Sequence, residues 1–239
     1  MYAHLRTAVV AGTAALSLVL APGRPAAADT LGEGQLREAL LDAVDFPAGW
    51  AGDSERSAAE RGFGVPRPAE PACGELFDST ADPAARAGFA RSRGGPFLTT
   101  VAAAHEGPAA AGRALAAVRR AVDGACATFR TQERAGEGLV TVSYEAAVLD
   151  AGRLGDESVA VRYQRRPAGQ GQAATPVVAD LVVARVGAHT VRVAQAGYEG
   201  DRDDGAMEAI AERAVAKLRD VAEGRTPAPP PDQPGTTEL

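Results

Sequence analysis

The feature that most constrains this chain is a set of strand-like runs in its second half, joined by connections too short for parallel pairing. Val140, Val142, Tyr144, Ala146 and Val148 alternate with Thr141, Ser143 and Glu145, the period-two pattern of a strand with one buried face. Val159, Val161 and Tyr163 repeat that pattern against Ala160, Arg162 and Gln164. The run Val177 to Val186 is apolar on both parities, as a central strand is, and Val191 and Val193 continue beyond Gly187-Ala188. A two-residue connection whose first residue tolerates positive φ predicts a tight antiparallel hairpin there. A parallel crossover needs a dozen residues or more, so the class is α+β with a largely antiparallel sheet.

Helical patterns bracket these strands. Leu36, Leu40, Leu41 and Val44 predict a short amphipathic helix ending at Phe46-Pro47, after which a turn presents Trp50. A second helix is expected after Cys73. Two strand runs, Ala87 to Ser92 and Phe97 to His105, flank Gly94-Gly95-Pro96 as a hairpin. Pro108 suits a first helical turn, and Ala111, Leu115, Val118 and Val122 then form one stripe up to Gly124, delivering Cys126. A closing helix over 203–221 carries Met207, Ile210, Ala211, Ala214, Leu218 and Val221 on one face.

The ends read differently. A basic start, an apolar stretch from Thr7 to Leu20 and Ala26-Ala27-Ala28 before Asp29 have the form of a secretory signal peptide over residues 1–28. The apolar stretch is short for a membrane span and Pro22-Gly23 follows it, so cleavage after Ala28 is expected, with no span left afterwards. Export puts Cys73 and Cys126, the only cysteines, in an oxidising compartment, where a disulfide between them is the expected state. It would close a 54-residue loop, for which chain entropy gives an upper figure of roughly 4 kcal/mol. Residues 225–239 carry Pro227, Pro229, Pro230, Pro231 and Pro234 with few apolar side chains, and are expected to be a disordered Pro-rich tail. One domain over 29–224 remains, with a looser stretch from Gly52 to Pro71.

Charge excludes some partners. Removing Arg6 and Arg24 with the leader leaves 23 basic against 31 acidic residues, a net charge of −8 that disfavours nucleic acid and anionic membrane surfaces. Of the 25 basic residues only Lys217 is lysine, the coding bias of a GC-rich genome.

Motifs for chemistry are missing. No G-x-S-x-G turn exists, and His105-Glu106 is followed by Ala109 where a zinc site on a helix needs its second histidine. His105 and His189 are read as structural or surface residues. The acids Asp201, Asp203 and Asp204 lack the further ligands of a calcium loop and are expected to cap the last helix. No catalytic residue, metal or cofactor is assigned. Four residues stand out as candidate ligand contacts: Trp50, the sole tryptophan, and Arg162, Asp180 and Arg185, charges on or near buried strands where they are costly unless paired. Core packing for Trp50 and internal ion pairing for the other three are the structural alternatives.

Several short segments resemble a known family. Leu40-Leu41-Asp42-Ala43-Val44-Asp45-Phe46-Pro47-Ala48-Gly49-Trp50, Cys73, Cys126 with Phe129, Leu154-Gly155-Asp156-Glu157-Ser158 and Val183-Ala184-Arg185-Val186-Gly187 are similar, in this order, to actinobacterial secreted sensor-like domains that look like the extracellular domain of the receptor Ser/Thr kinase PknH. That resemblance implies a single α+β domain, helices packed on an antiparallel sheet, and a cleft for an unidentified ligand. The kinase sensor carries two disulfides and this chain can form one. The resulting expectation is an exported, non-catalytic sensor-like domain, secreted or cell-wall associated, whose partner is an envelope small molecule, lipid or protein. The alternatives are a secreted hydrolase using a carboxylate pair such as Asp156-Glu157, and a structural wall protein whose tail spans the envelope.

Overall fold

The computed structural model describes residues 30–53, 64–135, 138–149, 152–166, 177–201 and 204–229. The expected signal peptide, most of the loose stretch after Gly52 and the distal part of the Pro-rich tail lie outside them.

The strand patterns resolve into one sheet. Its strands are β1 (Ala51–Gly52), β2 (Ala84–Ala90), β3 (Phe97–Ala104), β4 (Thr128–Ala135), β5 (Gly138–Leu149), β6 (Glu157–Arg166), β7 (Val177–Val186) and β8 (His189–Tyr198). They run in the order β1-β2-β3-β8-β7-β6-β5-β4, and every neighbouring pair is antiparallel. The predicted β7–β8 hairpin is present, with Gly187 at φ 57° in its two-residue turn. The last strand thus returns to the centre, between β3 and β7, and these three strands are buried along nearly their whole length.

Four α-helices among the described residues cover both sides: α1 (Glu33–Glu38), α2 (Pro71–Gly74), α3 (Pro108–Asp123) and α4 (Asp204–Ala222). The α3 stripe is as read, with Ala111, Leu115, Val118 and Val122 all buried. The predicted first helix is shorter than its apolar spacing implies. It stops at Glu38, and Leu40 and Leu41 turn inward from a non-helical link before a 3-10 turn over Ala43–Asp45. The cause is Asp42, which is extended and accepts from Val44 N–H at 2.9 Å while its own N–H donates to Asp45 at 2.9 Å. The helix expected after Cys73 is a single turn, Pro71–Gly74, that contains it. Capping by Asp201, Asp203 and Asp204 lies outside the described side chains.

Strand parity divides the core. One side, the terminal face, buries Leu98, Ala102, Val182, Ala184, Val191 and Val193 against Leu36, Leu41 and Phe46 from the N-terminal segment and Ile210, Ala214 and Leu218 of α4. The opposite side, the bridged face, buries Val142, Tyr144, Val161, Tyr163, Leu181, Val183 and Ala194 against Leu76 and Phe77 after α2 and Leu115, Val118 and Val122 of α3. The Cys73–Cys126 disulfide is formed on this second side and links α2 to the end of α3. Tyr163 on β6 donates its buried hydroxyl to the Cys126 carbonyl at 3.2 Å. Phe129 stacks on Tyr144 and meets Tyr163 edge-on, with ring centres 5.3 and 4.8 Å apart.

Lys217 has a specific place in this architecture. It projects from α4 and is 4% exposed. Its Nζ donates to Asp45 at 2.6 Å and Asp42 at 3.1 Å, while Arg213 Nε donates to the other Asp45 oxygen at 2.7 Å. The buried Asp45 carboxylate therefore clamps the 3-10 turn onto α4 with both oxygens satisfied.

Candidate functional site

The sequence candidates do not converge on one cavity. Trp50 packs at the edge of the terminal core, stacked on Phe46 with ring centres 5.0 Å apart, and Phe46 in turn meets Phe89. Arg162 and Asp180 are partners across β6 and β7 on the terminal face, where Nε and Nη2 of the arginine donate to the two carboxylate oxygens at 2.8 and 3.2 Å. A forked pair of this kind satisfies a nearly buried aspartate. Arg185 lies on the bridged face. It donates to Asp156 at 3.1 Å and to the Gly187 carbonyl at 3.2 Å.

The Leu154-to-Ser158 segment explains itself through that last contact. Gly155 has φ 64°, and a Cβ there would fall 2.4 Å from the Arg185 carbonyl, so only glycine fits. Asp156 N–H donates to that same carbonyl at 2.8 Å, and its carboxylate accepts from Gly187 N–H at 2.8 Å. The turn is thus docked on the β7–β8 hairpin. Glu157 accepts from Arg119 of α3, which also donates to the Ser158 carbonyl at 2.7 Å. The Arg119 hydrogen bond holds the Glu157 carboxyl below its ordinary range. Asp156 and Glu157, the carboxylate pair of the hydrolase alternative, are therefore each engaged in holding a turn.

A cleft does exist on the bridged face. A cavity of about 410 Å³ opens between α3 and the segment following α2, within the ~300–1,000 Å³ usual for small-molecule sites. Leu76 and Ala72 form one wall, and Ala114, Ala117, Val118 and Ala121 of α3 form the other. Both walls are joined by the disulfide, because Cys73 sits between Ala72 and Leu76 and Cys126 follows α3. The polar lining is His105, Arg113, Glu75 and Arg192, with Ser79 and Thr80 beside them. Two smaller hollows of about 270 and 170 Å³ lie elsewhere, one beside Arg119 and Ser158 and the other beside Pro66 and Arg86.

Arg192 is the distinctive group of the cleft. It sits on central strand β8, with Val101 and Val183 as its cross-strand neighbours, and is 4% exposed. Its Nε and Nη1 are buried with no hydrogen-bond partner among the described residues. Burial drives its pKa down to about 10, against the opposing pull of Asp78 and Glu75. His105 Nε2 lies 3.0 Å from Thr190 Oγ1. Burial first, then the charge of Arg192, lowers the pKa of His105. Sequence reasoning missed Arg192, since a lone arginine in Val191-Arg192-Val193 looks like the solvent-facing partner of an alternating strand. The available signal was that β7 is apolar on both parities, so its neighbour is covered on both faces too.

Among solved structures the chain is similar to the extracellular domain of PknH from Mycobacterium tuberculosis, at 17% identity over 82% of this chain and 98% of that one, with a TM-score of 0.43. No protein-family model matches the chain. No curated protein matches it either.

Proposed function

We propose that this chain is an exported, non-catalytic sensor-like domain that holds an envelope-derived small molecule or lipid in the cleft between α3 and the α2 segment. The observation that carries this reading is the cleft itself: apolar walls fastened together by a disulfide over a floor that contains a buried, charged arginine. Apolar walls with a few convergent polar groups are the usual make-up of a ligand site. The short sequence segments shared with secreted sensor-like domains support the same reading, as does the disulfide, which forms and persists in oxidising compartments. No helix among the described residues is long and apolar enough to cross a membrane.

The test is native mass spectrometry of the protein recovered from its own culture medium, beside the Ala117→Trp variant, whose new side chain would fill the cleft. A non-covalent mass carried by the first and absent from the second supports the reading. A bare mass in both overturns a small-molecule role for the cleft and leaves protein partners as the object of search. The denatured spectrum of the same sample, starting at Asp29 and rising by two hydrogens on reduction, checks export and the single bridge.

A further inference from the structure

We infer that the cleft selects its ligand by a singly charged oxyanion, a carboxylate or a phosphodiester, docked on the guanidinium of Arg192. This rests on reading the cleft as a binding site and adds the chemistry it recognises. Arg192 is the only buried arginine among the described residues. Arginines elsewhere on the sheet find acids: Arg162 is bidentate to Asp180, Arg165 reaches Glu133 at 2.9 Å and Arg185 holds Asp156. Arg192 has no such pairing among the described residues. Taking a guanidinium out of water without a partner is costly, and the group stays protonated at neutral pH even so. Arg192 lines the cavity, so an incoming oxyanion meets its guanidinium there and gains the enclosed Nε and Nη1 donors by displacing the side chains that cover them.

The surrounding charges narrow the class. Asp78 is occupied by Arg86 at 2.9 Å, and Glu75 is exposed at the rim. Neither bonds Nε or Nη1 of Arg192, but both place negative potential near it. A dianion doubles both its attraction to the guanidinium and its repulsion from the two acids, while the cost of desolvating it between apolar walls rises with the square of its charge, so a monoanion is favoured. Arg113 on α3 adds an exposed positive charge at the mouth. Leu76 and Val118 supply the apolar surface against which the rest of the ligand lies. The ligand expected is therefore amphipathic, with one anionic end and a compact apolar body.

The experiment is an NMR titration of the intact disulfide-bonded domain, following the Arg192 Nε–H signal and the Leu76 and Val118 methyl signals. The probes are benzoate, diethyl phosphate, inorganic phosphate and the neutral isostere benzyl alcohol. Benzoate or diethyl phosphate should shift all three residues and bind roughly tenfold or more tightly than benzyl alcohol, the ratio that one charge-assisted hydrogen bond gives. The preference should disappear in Arg192→Met and weaken in Arg192→Lys, which keeps the charge without the fork. A response to benzoate alone points to a carboxylate source, and one to diethyl phosphate alone to a phosphodiester headgroup. Equal binding of benzoate and benzyl alcohol would overturn the anion assignment and leave the cleft a ligand site. If none of the probes moves the three signals, the anion assignment and the binding reading fall together. A shift of Arg192 Nε–H by inorganic phosphate as large as that by benzoate, without methyl shifts, would mean an adventitious ion only. Should Arg192→Met not fold, the ratio of benzoate to benzyl alcohol on the unmodified protein decides the matter by itself.

Discussion

The two faces of the sheet treat buried charge in opposite ways. On the terminal face the Asp45 carboxylate is fully enclosed and accepts from Lys217, from Arg213 and from the Asp42 N–H. On the bridged face Arg192 is nearly as well enclosed, yet its Nε and Nη1 have no hydrogen-bond partner among the described residues and it borders a cavity. Covering elements differ in the same sense. The terminal face is closed by the 19-residue α4 lying along the central strands. The bridged face is closed by α3 and a single turn of helix joined to the end of α3 by the disulfide. A satisfied ionic cluster under a long helix is what a fold needs to be stable. An unsatisfied cation beside a cavity is the arrangement that the proposed ligand site would use.

The largest effect should come from breaking the satisfied side. Asp45→Ala leaves Lys217 with only the more exposed Asp42 and takes the carboxylate from Arg213, and removing one member of a buried ion pair costs about 3–5 kcal/mol. Urea denaturation should show that loss, and a cost below about 1 kcal/mol would mean the cluster is solvated. Next comes the staple. Replacing Cys73 and Cys126 together by serine should cost about 2–4 kcal/mol and broaden the Leu76 and Val118 signals before those of α4. Uniform destabilisation of both faces would break the comparison, because it would show that the bridged face has no separate flexibility.

The sign then reverses at Arg192. Substituting methionine there removes a buried charge with no hydrogen-bond partner at Nε or Nη1 and keeps most of the apolar volume, so stability of the ligand-free protein should stay level or rise by about 1 kcal/mol. A loss of about 2 kcal/mol or more in Arg192→Met would show that Arg192 is a structural cation balanced by Glu75 and Asp78, and the contrast between the faces would dissolve.

How much of this could be read from residues follows from where the signals are local. The α3 stripe, the β7–β8 hairpin and the α4 face are legible because each depends on spacing within one element and the burial it needs. Strand β4 is not. Thr128-Phe129-Arg130-Thr131-Gln132-Glu133 carries charges and amides on both parities, because it is an edge strand whose outer side faces solvent, and only Phe129 and Thr131 are buried. The short first helix is hidden because Leu40 and Leu41 keep helical spacing while Asp42 ends the helix through bonds to Val44 and Asp45, and Asp45 is held in that turn by Lys217 and Arg213, more than 160 residues away. The site failed for a related reason. Arg162, Asp180 and Arg185 look unpaired in a sequence, and their partners across the sheet and in the 156 turn exist only once register is set. Arg192 looks ordinary until α3 covers it.

The smallest effect is a pH dependence shared by the two faces. His189 accepts the Leu31 N–H on its Nε2 at 3.2 Å and tethers the start of α1, while His105 sits at the cleft beside Arg192. Burial is the main cause that lowers both imidazole pKa values, so the folded protein holds them neutral where the unfolded chain, with pKa near 6.5, binds protons. Stability rises with pH wherever the unfolded state binds more protons, so it should be full above about pH 7 and decline as pH falls through 6.5 towards the folded pKa values. His189→Gln keeps an acceptor for Leu31 without titrating and should flatten part of that slope; an unchanged slope would mean His189 does not titrate in this range. The His105 part carries a further signature. Positive charge on Arg192 contributes to its lowered pKa, so an oxyanion bound at Arg192 should raise the His105 pKa, and benzoate should bind more tightly at pH 6 than at pH 8 in the unmodified protein. His189 also contributes to the lowered His105 pKa, so the benzoate-dependent rise at His105 should persist in His189→Gln, where only Arg192 and burial remain to depress it.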